Sequence, residues 1–493
     1  MSFSYMKILE PSSTPQIFII FYLALYAIIW TCAGYFLNPS VPYDAVEALN
    51  WANNLEFGSP KNPYMVSLVM FPSLLLKKWV ALDLYWYASH FLAVSLGMLG
   101  VWLLGLRLFG RPILAFFSLM SLNLTGIINF DILPYNDNYL LVMFWPYLFL
   151  FFIKALYDHQ KYWFLLALCS GLAAMSKYSS FAFLPFMLIS LLFTSTGRKA
   201  FKYKEFYFSI LLFILIITPN FIWLYQHDFA AFNWVKSQIK PALNLTVIIA
   251  FLCVFYPVII ILLILLPLGA KVAYPNTEEK KHFVFICLSP VFCIFIYFLF
   301  NEGGRITEWM QPFAILASSL TLCFLNVDKI KKWRNMNLCL LFFSILVCSG
   351  YILVLHNNIK GAGKKLDFIK KVSAQLNELW KNEYHTPLKY VGGGYLSQWL
   401  TFYSPDHPFI TTKWSNENKP NIYNAHISLD DLQNSGALFL SHSGENCETA
   451  DFNDVKKDYL GIHLTKKRDY GFTTAKGEHI QICLAFLAPK KSR

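Results

Sequence analysis

Residues 41–65 run Val41-Pro-Tyr-Asp-Ala-Val-Glu-Ala-Leu-Asn-Trp-Ala-Asn-Asn-Leu-Glu-Phe-Gly-Ser-Pro-Lys-Asn-Pro-Tyr-Met65. The stretch follows residues 17–37, an uncharged run of 21 that is long enough to cross a bilayer. It then places Asp44, Glu47 and Glu56 within thirteen residues. Asp44 and Glu47 are three apart and share one face if the segment is helical. Two readings compete: a solvated loop with ordinary acids, or carboxylates gathered for a task where the chain leaves the membrane. The run before it is too long for a signal-peptide core and has no small-residue cleavage site. Cys32 follows Ile-Trp-Thr, which does not resemble a lipoprotein site, so the run reads as an uncleaved span.

Hydrophobic residues are 56% of the 493 and charged residues only 14%, against about 25% in soluble chains. Further apolar spans fall near 84–106, 112–130, 139–153, 162–176, 178–196, 206–225, 243–268, 283–300, 309–327 and 336–355, which makes eleven with the first. Tyr64–Asp83 is apolar but broken by Pro72, Lys77 and Lys78, the pattern of an interfacial helix. With the N-terminus in the cytoplasm, the inner loops carry fifteen Lys and Arg and the short outer segments seven. That bias sets the orientation and places Asp44, Glu47, Glu56, Asp83, Asp131, Asp137, Asp228, Glu302 and Glu308 outside. The net charge of +12 therefore belongs to loops and argues against nucleic acid. Heptads, metal-ligand spacings, phosphate-binding glycine loops and internal repeats are absent from the sequence.

From about residue 360 charges, Asn, Gly and Pro return. Leu366, Ile369, Val372, Leu376 and Leu379 have near-helical spacing. Strands are expected at Lys389–Val391, Phe409–Thr412, Ala437–Leu440 and His479–Phe486, with a helix at Tyr395–Phe402. Residues 1–356 thus read as a transmembrane domain with an outer loop at 38–83, and 357–493 as a soluble α/β domain. Eight of ten cysteines lie in or beside apolar runs as small buried hydrophobes. The other two, Cys447 and Cys483, either pair, if the domain lies in an oxidising compartment, or leave Cys483 a buried thiol.

Three more outer segments offer chemistry. Phe130–Asn138 supplies Asp131 and Asp137, and Asp137 or Asn138 equally suits a helix cap. Lys177, in Met-Ser-Lys-Tyr-Ser-Ser, interrupts an apolar stretch; it either snorkels to headgroups or faces a cavity. Arg305, in Asn301–Pro312, is suited to a phosphate oxygen pair or to an interfacial anchor beside Trp309. Acids with a few cations at the mouth of a helix bundle fit sugar transfer from a lipid phosphate. The cations hold the anionic leaving group and a carboxylate takes the incoming hydroxyl's proton.

This layout resembles the C-type membrane glycosyltransferases (the GT-C fold), within the branch of the protein O-mannosyltransferases and the lipid A aminoarabinose transferase. The residues that carry it are Gly-x-x-Lys-x-Pro at Gly58–Pro63, Gly171–Tyr178, Pro219–Phe229 and Arg305–Pro312. The resemblance implies eleven to thirteen transmembrane helices, a polyprenyl-phosphate sugar donor, inversion at the anomeric carbon and an essential acid in the first outer loop. By position that acid is Asp44, supported by Glu47 and Asp137, with Lys177 and Arg305 at the donor phosphate. Relatives carry adjacent acids and Lys-His-Pro-Pro where this chain has Ala45 and Lys61-Asn62-Pro63-Tyr64, which leaves acceptor and divalent metal open. The expectation is a multi-pass protein of the bacterial inner membrane, with its C-terminal domain in the periplasm. It would move a sugar, an amino sugar among the candidates, from undecaprenyl phosphate to lipid A or another glycolipid. Transfer to protein Ser or Thr and a lipid-linked sugar flippase are the alternatives.

Overall fold

Apolar runs of more than eighteen residues decide the architecture, because in lipid only a helix satisfies its own backbone. The computed structural model describes residues 13–134, 137–356, 366–411, 427–459, 461–474 and 477–490. Among these residues seven helices are long and apolar enough to cross a membrane: Gln16–Leu37, Leu82–Phe109, Asn138–Tyr157, Lys204–Gln226, Thr246–Leu265, Glu278–Leu299 and Trp333–Val354. Three more of the expected spans are shorter apolar pieces, Pro112–Leu124, Tyr162–Ser176 and Tyr178–Phe193.

The eleventh, expected over 309–327, is broken into a helix Ile306–Met310, a 3-10 turn Gln311–Leu316 and a helix Ala317–Cys323. Pro312 lacks the N–H that would continue the ladder. Irregular backbone at membrane depth survives only under protein cover, and Phe313, Ile315 and Leu316 are all buried. Met65–Leu76 is the short apolar helix expected near the headgroups, and Lys77 caps its end.

Leu82–Phe109 and Asn138–Tyr157 form the middle of the bundle, packed on each other and on Ser13–Leu37 and Tyr162–Ser176. Small residues allow this: a Cβ at Gly97 would lie 2.3 Å from the carbonyl oxygen of Val142. Lys204–Gln226, Thr246–Leu265 and Trp333–Val354 bury only a minority of their residues inside the protein, as lipid-facing helices do. The bundle's two ends differ in charge. Leu82–Phe109 runs from Asp83 to Arg107, and Arg107 meets Asp158 at 2.9 Å and Glu279 at 2.6 Å. A ribbon of β2 (Lys271–Val272) with β4 (Leu325–Asn326) closes that end. A second ribbon, β1 (Ile239–Pro241) with β3 (Asn301–Gly303), leads into Arg305 at the other.

The C-terminal part is an α/β domain around one sheet, ordered β6-β5-β7-β9-β8. Strands β5 (Tyr390–Gly393), β6 (Phe409–Ile410) and β7 (Ala437–Leu440) are parallel, with Val391 opposite both Ile410 and Leu438. Strand β9 (His479–Leu487) runs antiparallel to β7 and to β8 (Lys466–Thr473). Helices Ile369–Tyr384 and Ser397–Tyr403 pack on the sheet and on each other. Thr412, at the end of the expected strand Phe409–Thr412, lies outside the described residues. Strand β8 was not expected: its Lys466-Lys-Arg-Asp reads as loop, yet charge on an edge strand is how a sheet end is kept from pairing further. Cys447 and Cys483 form a disulfide with their Cα atoms 4.7 Å apart. One continuous apolar core joins the membrane helices to this domain, passing through Trp51 and Ala52 to Trp399, Leu400 and Ile410.

Candidate active site

The loop that follows the first span folds around the helix Tyr43–Asn54. Pro42 enters it in an extended conformation, Asp44 sits in the first turn, and Leu55 ends it in the left-handed region at φ 51°. A carboxylate in the first turn is favoured by the helix dipole. Every residue from Ala45 to Ala52 is buried, so the helix belongs to the core and is no solvated loop. Three residues on from Asp44, Glu47 is fully buried, and Lys61 Nζ donates to both its oxygens at 2.6 and 2.9 Å. Lys61 is presented by a tight turn in which Ser59 Oγ accepts from the Asn62 N–H at 2.9 Å, closed by a bridge between Gly58 and Pro63. Gly58 is required there: a Cβ would lie 2.3 Å from the Trp223 ring.

Trp223 belongs to the Pro219–Phe229 segment, and that segment docks on the same loop. Asn220 Nδ2 donates to the Phe57 carbonyl at 2.7 Å, and Trp223 Nε1 donates to Glu56 Oε2 at 2.6 Å. The His227 ring stacks on Trp223 with centroids 4.1 Å apart. Tyr178 completes the join, its hydroxyl donating to Asn220 Oδ1 at 3.0 Å.

Lys177 falls where the helix Tyr162–Ser176 gives way to an extended residue, φ −157° and ψ 135°. Its Nζ lies 2.9 Å from Asp137 Oδ2 and donates to Asn138 Oδ1 at 2.8 Å. Asp137 does occupy the N-cap position of Asn138–Tyr157, but its side chain makes no capping bond. Asn138 Nδ2 donates in turn to the Glu308 carbonyl at 3.0 Å and to Gln311 Oε1 at 2.8 Å. Gln311 Nε2 reaches the Asp131 carbonyl at 2.9 Å. The segments that carry Asp131 and Asn138, and Glu308 and Gln311, are therefore tied to Lys177 by one hydrogen-bond chain. Arg305 stands at its edge, 62% exposed and 3.3 Å from Glu308.

A cavity of about 960 Å³ opens beside these segments. Asp44, Asp131 and Glu308 line it, as do Tyr351 from the last membrane helix and Tyr395 and Trp399 from the C-terminal domain. Glu47, Asp137, Lys177 and Arg305 are not among the lining residues. Of the five predicted site residues, Asp44 alone thus faces the cavity. Of the other four, Glu47 pairs with Lys61, Asp137 pairs with Lys177, and Arg305 lies further out. Burial raises the Asp131 carboxyl above the usual carboxylate range. Burial also pushes the Tyr395 hydroxyl up to about 12, with the charges of Glu47 and Asp44 adding to it. Among the described residues no three His, Cys, Asp or Glu are grouped to hold a metal ion.

The C-terminal domain is fastened to this wall. Tyr43 hydroxyl donates to Gln398 Oε1 at 2.9 Å, the Val41 N–H donates to the Tyr403 hydroxyl at 2.7 Å, and Lys370 pairs with Asp83 at 2.8 Å. Sequence reasoning placed Tyr395–Phe402 in a helix but could not see which surface that helix would meet. Glu308 and Asp131 were visible as outer acids, without a sign that they share a cavity with Asp44.

Residues 62–223 match the family model described as dolichyl-phosphate-mannose-protein mannosyltransferase. In structure the chain is similar to ArnT from Cupriavidus metallidurans bound to undecaprenyl phosphate, at 11% identity and a TM-score of 0.56, over 97% of this chain and all of that one. It is also similar to the arabinofuranosyltransferase AftD from Mycobacteria, at 12% identity and a TM-score of 0.52, over 97% of this chain and 40% of that one. No curated protein matches the sequence. Fold and family-model match together support a membrane glycosyltransferase of the C type. The fold is the GT-C fold, with a small C-terminal sheet domain attached.

Proposed function

We propose that this protein is an inverting glycosyltransferase that takes a sugar from undecaprenyl phosphate to lipid A or another glycolipid at the periplasmic face of the bacterial inner membrane. The observation that carries it is Asp44, held by a buried helix on the wall of a large cavity with three cations in the surrounding segments. In the reaction an acceptor hydroxyl attacks the anomeric carbon from the side opposite the phosphate. Asp44 takes the hydroxyl proton as the new C–O bond forms. The bond from the sugar to the phosphate oxygen breaks, and the lipid phosphate leaves with an added negative charge. Lys61, Lys177 and Arg305 supply positive potential against that charge. Glu47 and Asp137 act through the lysines, each fixing one ammonium at 2.6–2.9 Å. A single displacement inverts the anomeric centre.

The fold shared with a protein bound to undecaprenyl phosphate supports the donor class. The fifteen-to-seven loop bias and the Cys447–Cys483 bond, which belongs in an oxidising compartment, support the outward-facing side. Mass spectrometry of lipid A and core from a strain lacking the gene tests the reading. Loss of a hexosamine, pentosamine or hexose mass names sugar and acceptor together. Unchanged glycolipids with a lost sugar on secreted protein would replace the glycolipid acceptor by protein.

A further inference from the structure

The cavity wall beside Asp44 carries three aromatic rings, Tyr43, Tyr395 and Trp399, and the last two come from the C-terminal domain. Tyr43 stands next to Asp44 in sequence, and its ring lies 5.0 Å from Tyr395 and 5.5 Å from Trp399. Tyr395 and Trp399 are themselves 4.7 Å apart, edge to face. Trp399 is buried beneath, whereas Tyr395 is 48% exposed and both line the cavity. The cluster cannot drift: Tyr43 is bonded to Gln398, and Tyr403 holds the backbone of Val41.

A pyranose has one face of C–H groups and a rim of hydroxyls. An aromatic ring flush beside a carboxylate meets both, the ring under the C–H face and the carboxylate at the rim. An acyl chain would fit the rings equally but would lay hydrocarbon against Asp44, at the cost of desolvating an acid with nothing in return. On the transferase reading above, the donor's charged end belongs near the cations. The group next to the proton acceptor must be the one that gives up the proton.

We infer that Tyr395, backed by Trp399 and Tyr43, is the platform on which the acceptor's sugar ring stacks, so that the C-terminal domain selects the acceptor. This rests on the transferase reading above. Tyr395 positions and selects; it takes no part in bond making.

The test is steady-state transfer by the full-length protein in detergent. The donor is a polyprenyl-phosphate sugar, and the acceptor probe is lipopolysaccharide from the deletion strain. An aromatic stack is worth roughly 1.4 kcal/mol, about a tenfold change in affinity. Tyr395→Ala should raise the acceptor KM about tenfold, leaving the donor KM and the kcat at saturating acceptor within about twofold. Tyr395→Phe keeps the ring and should match the natural protein, while Tyr395→Leu should resemble the alanine variant. A leucine variant as good as phenylalanine means an acyl chain occupies the platform and overturns the inference. So does an unchanged acceptor KM across the series, or a shift confined to the donor KM. Should the alanine variant fail to fold, the phenylalanine and leucine pair decides alone. If the unaltered protein transfers no sugar from any polyprenyl-phosphate donor, the transferase reading falls and this inference with it. An active protein with a flat Tyr395 series overturns the platform only.

Discussion

Lys61→Met isolates what holds the helix Tyr43–Asn54 in place. The Glu47 side chain is wholly buried, and the ammonium of Lys61, a side chain 20% exposed as a whole, donates to both Glu47 oxygens. Removing the ammonium leaves that carboxylate in the core without the charge that offsets its lost hydration. Breaking a buried pair from one side costs about 3–5 kcal/mol; the partial exposure of Lys61 places this case near the low end, at about 3. At 1.4 kcal/mol per decade, the ratio of folded to unfolded protein falls roughly a hundredfold. The double variant Lys61→Met with Glu47→Gln removes the charge as well and should regain at least half of the loss. Reversible unfolding of the detergent-solubilised protein, run on both single variants and the double, measures each term and their coupling. A Lys61→Met protein within about 0.5 kcal/mol of the original would show that the pair is hydrated and the helix is held by packing alone.

Four further outcomes are expected, three from the same geometry and one from the loop charges. Replacing Cys447 and Cys483 by Ser opens a loop with a sequence separation of 36, worth up to roughly 4 kcal/mol in the chain-entropy model; thiol labelling of the unfolded, unreduced natural protein should find neither cysteine reactive. Lys177→Ala removes the partner of Asp137 and Asn138 and should raise the donor KM about tenfold or more. Arg305→Ala, at a largely exposed pair, should raise it only about two- to fivefold, an effect that added salt erodes; equal effects at the two positions would contradict their difference in burial. A C-terminal alkaline phosphatase fusion should be active and a fluorescent-protein fusion dark, and the reverse pattern would move the site to the cytoplasm.

The spans were legible because a charge-free run such as 17–37 has only one stable form in lipid, and each of the eleven expected segments is helical in part. What period and hydropathy do not carry is interruption: Pro312 breaks a segment whose composition alone reads as continuous. The spacing of Asp44 and Glu47 placed both on one helix. It could not say that one faces a cavity and the other Lys61, since that depends on a turn fourteen residues downstream. Asp137 showed the opposite difficulty, with a cap position plain in the sequence and its actual partner, Lys177, forty residues away. Tyr395 and Trp399 were least legible of all. A helix was expected over Tyr395–Phe402 and forms over Ser397–Tyr403, after Tyr395, but the face this segment turns to Tyr43 is set by contacts more than 350 residues apart along the chain.

Asp44→Asn tests the central claim most directly. The amide keeps size and nearly keeps shape on the cavity wall, and it cannot accept the acceptor's proton. Turnover of a polyprenyl-phosphate sugar should fall by roughly 10²–10⁴-fold, with the protein still folded and its donor affinity within about twofold of the original. Near-normal turnover by a folded Asp44→Asn protein would mean that another group takes the proton, and that Asp44 serves the first turn of its helix and no more.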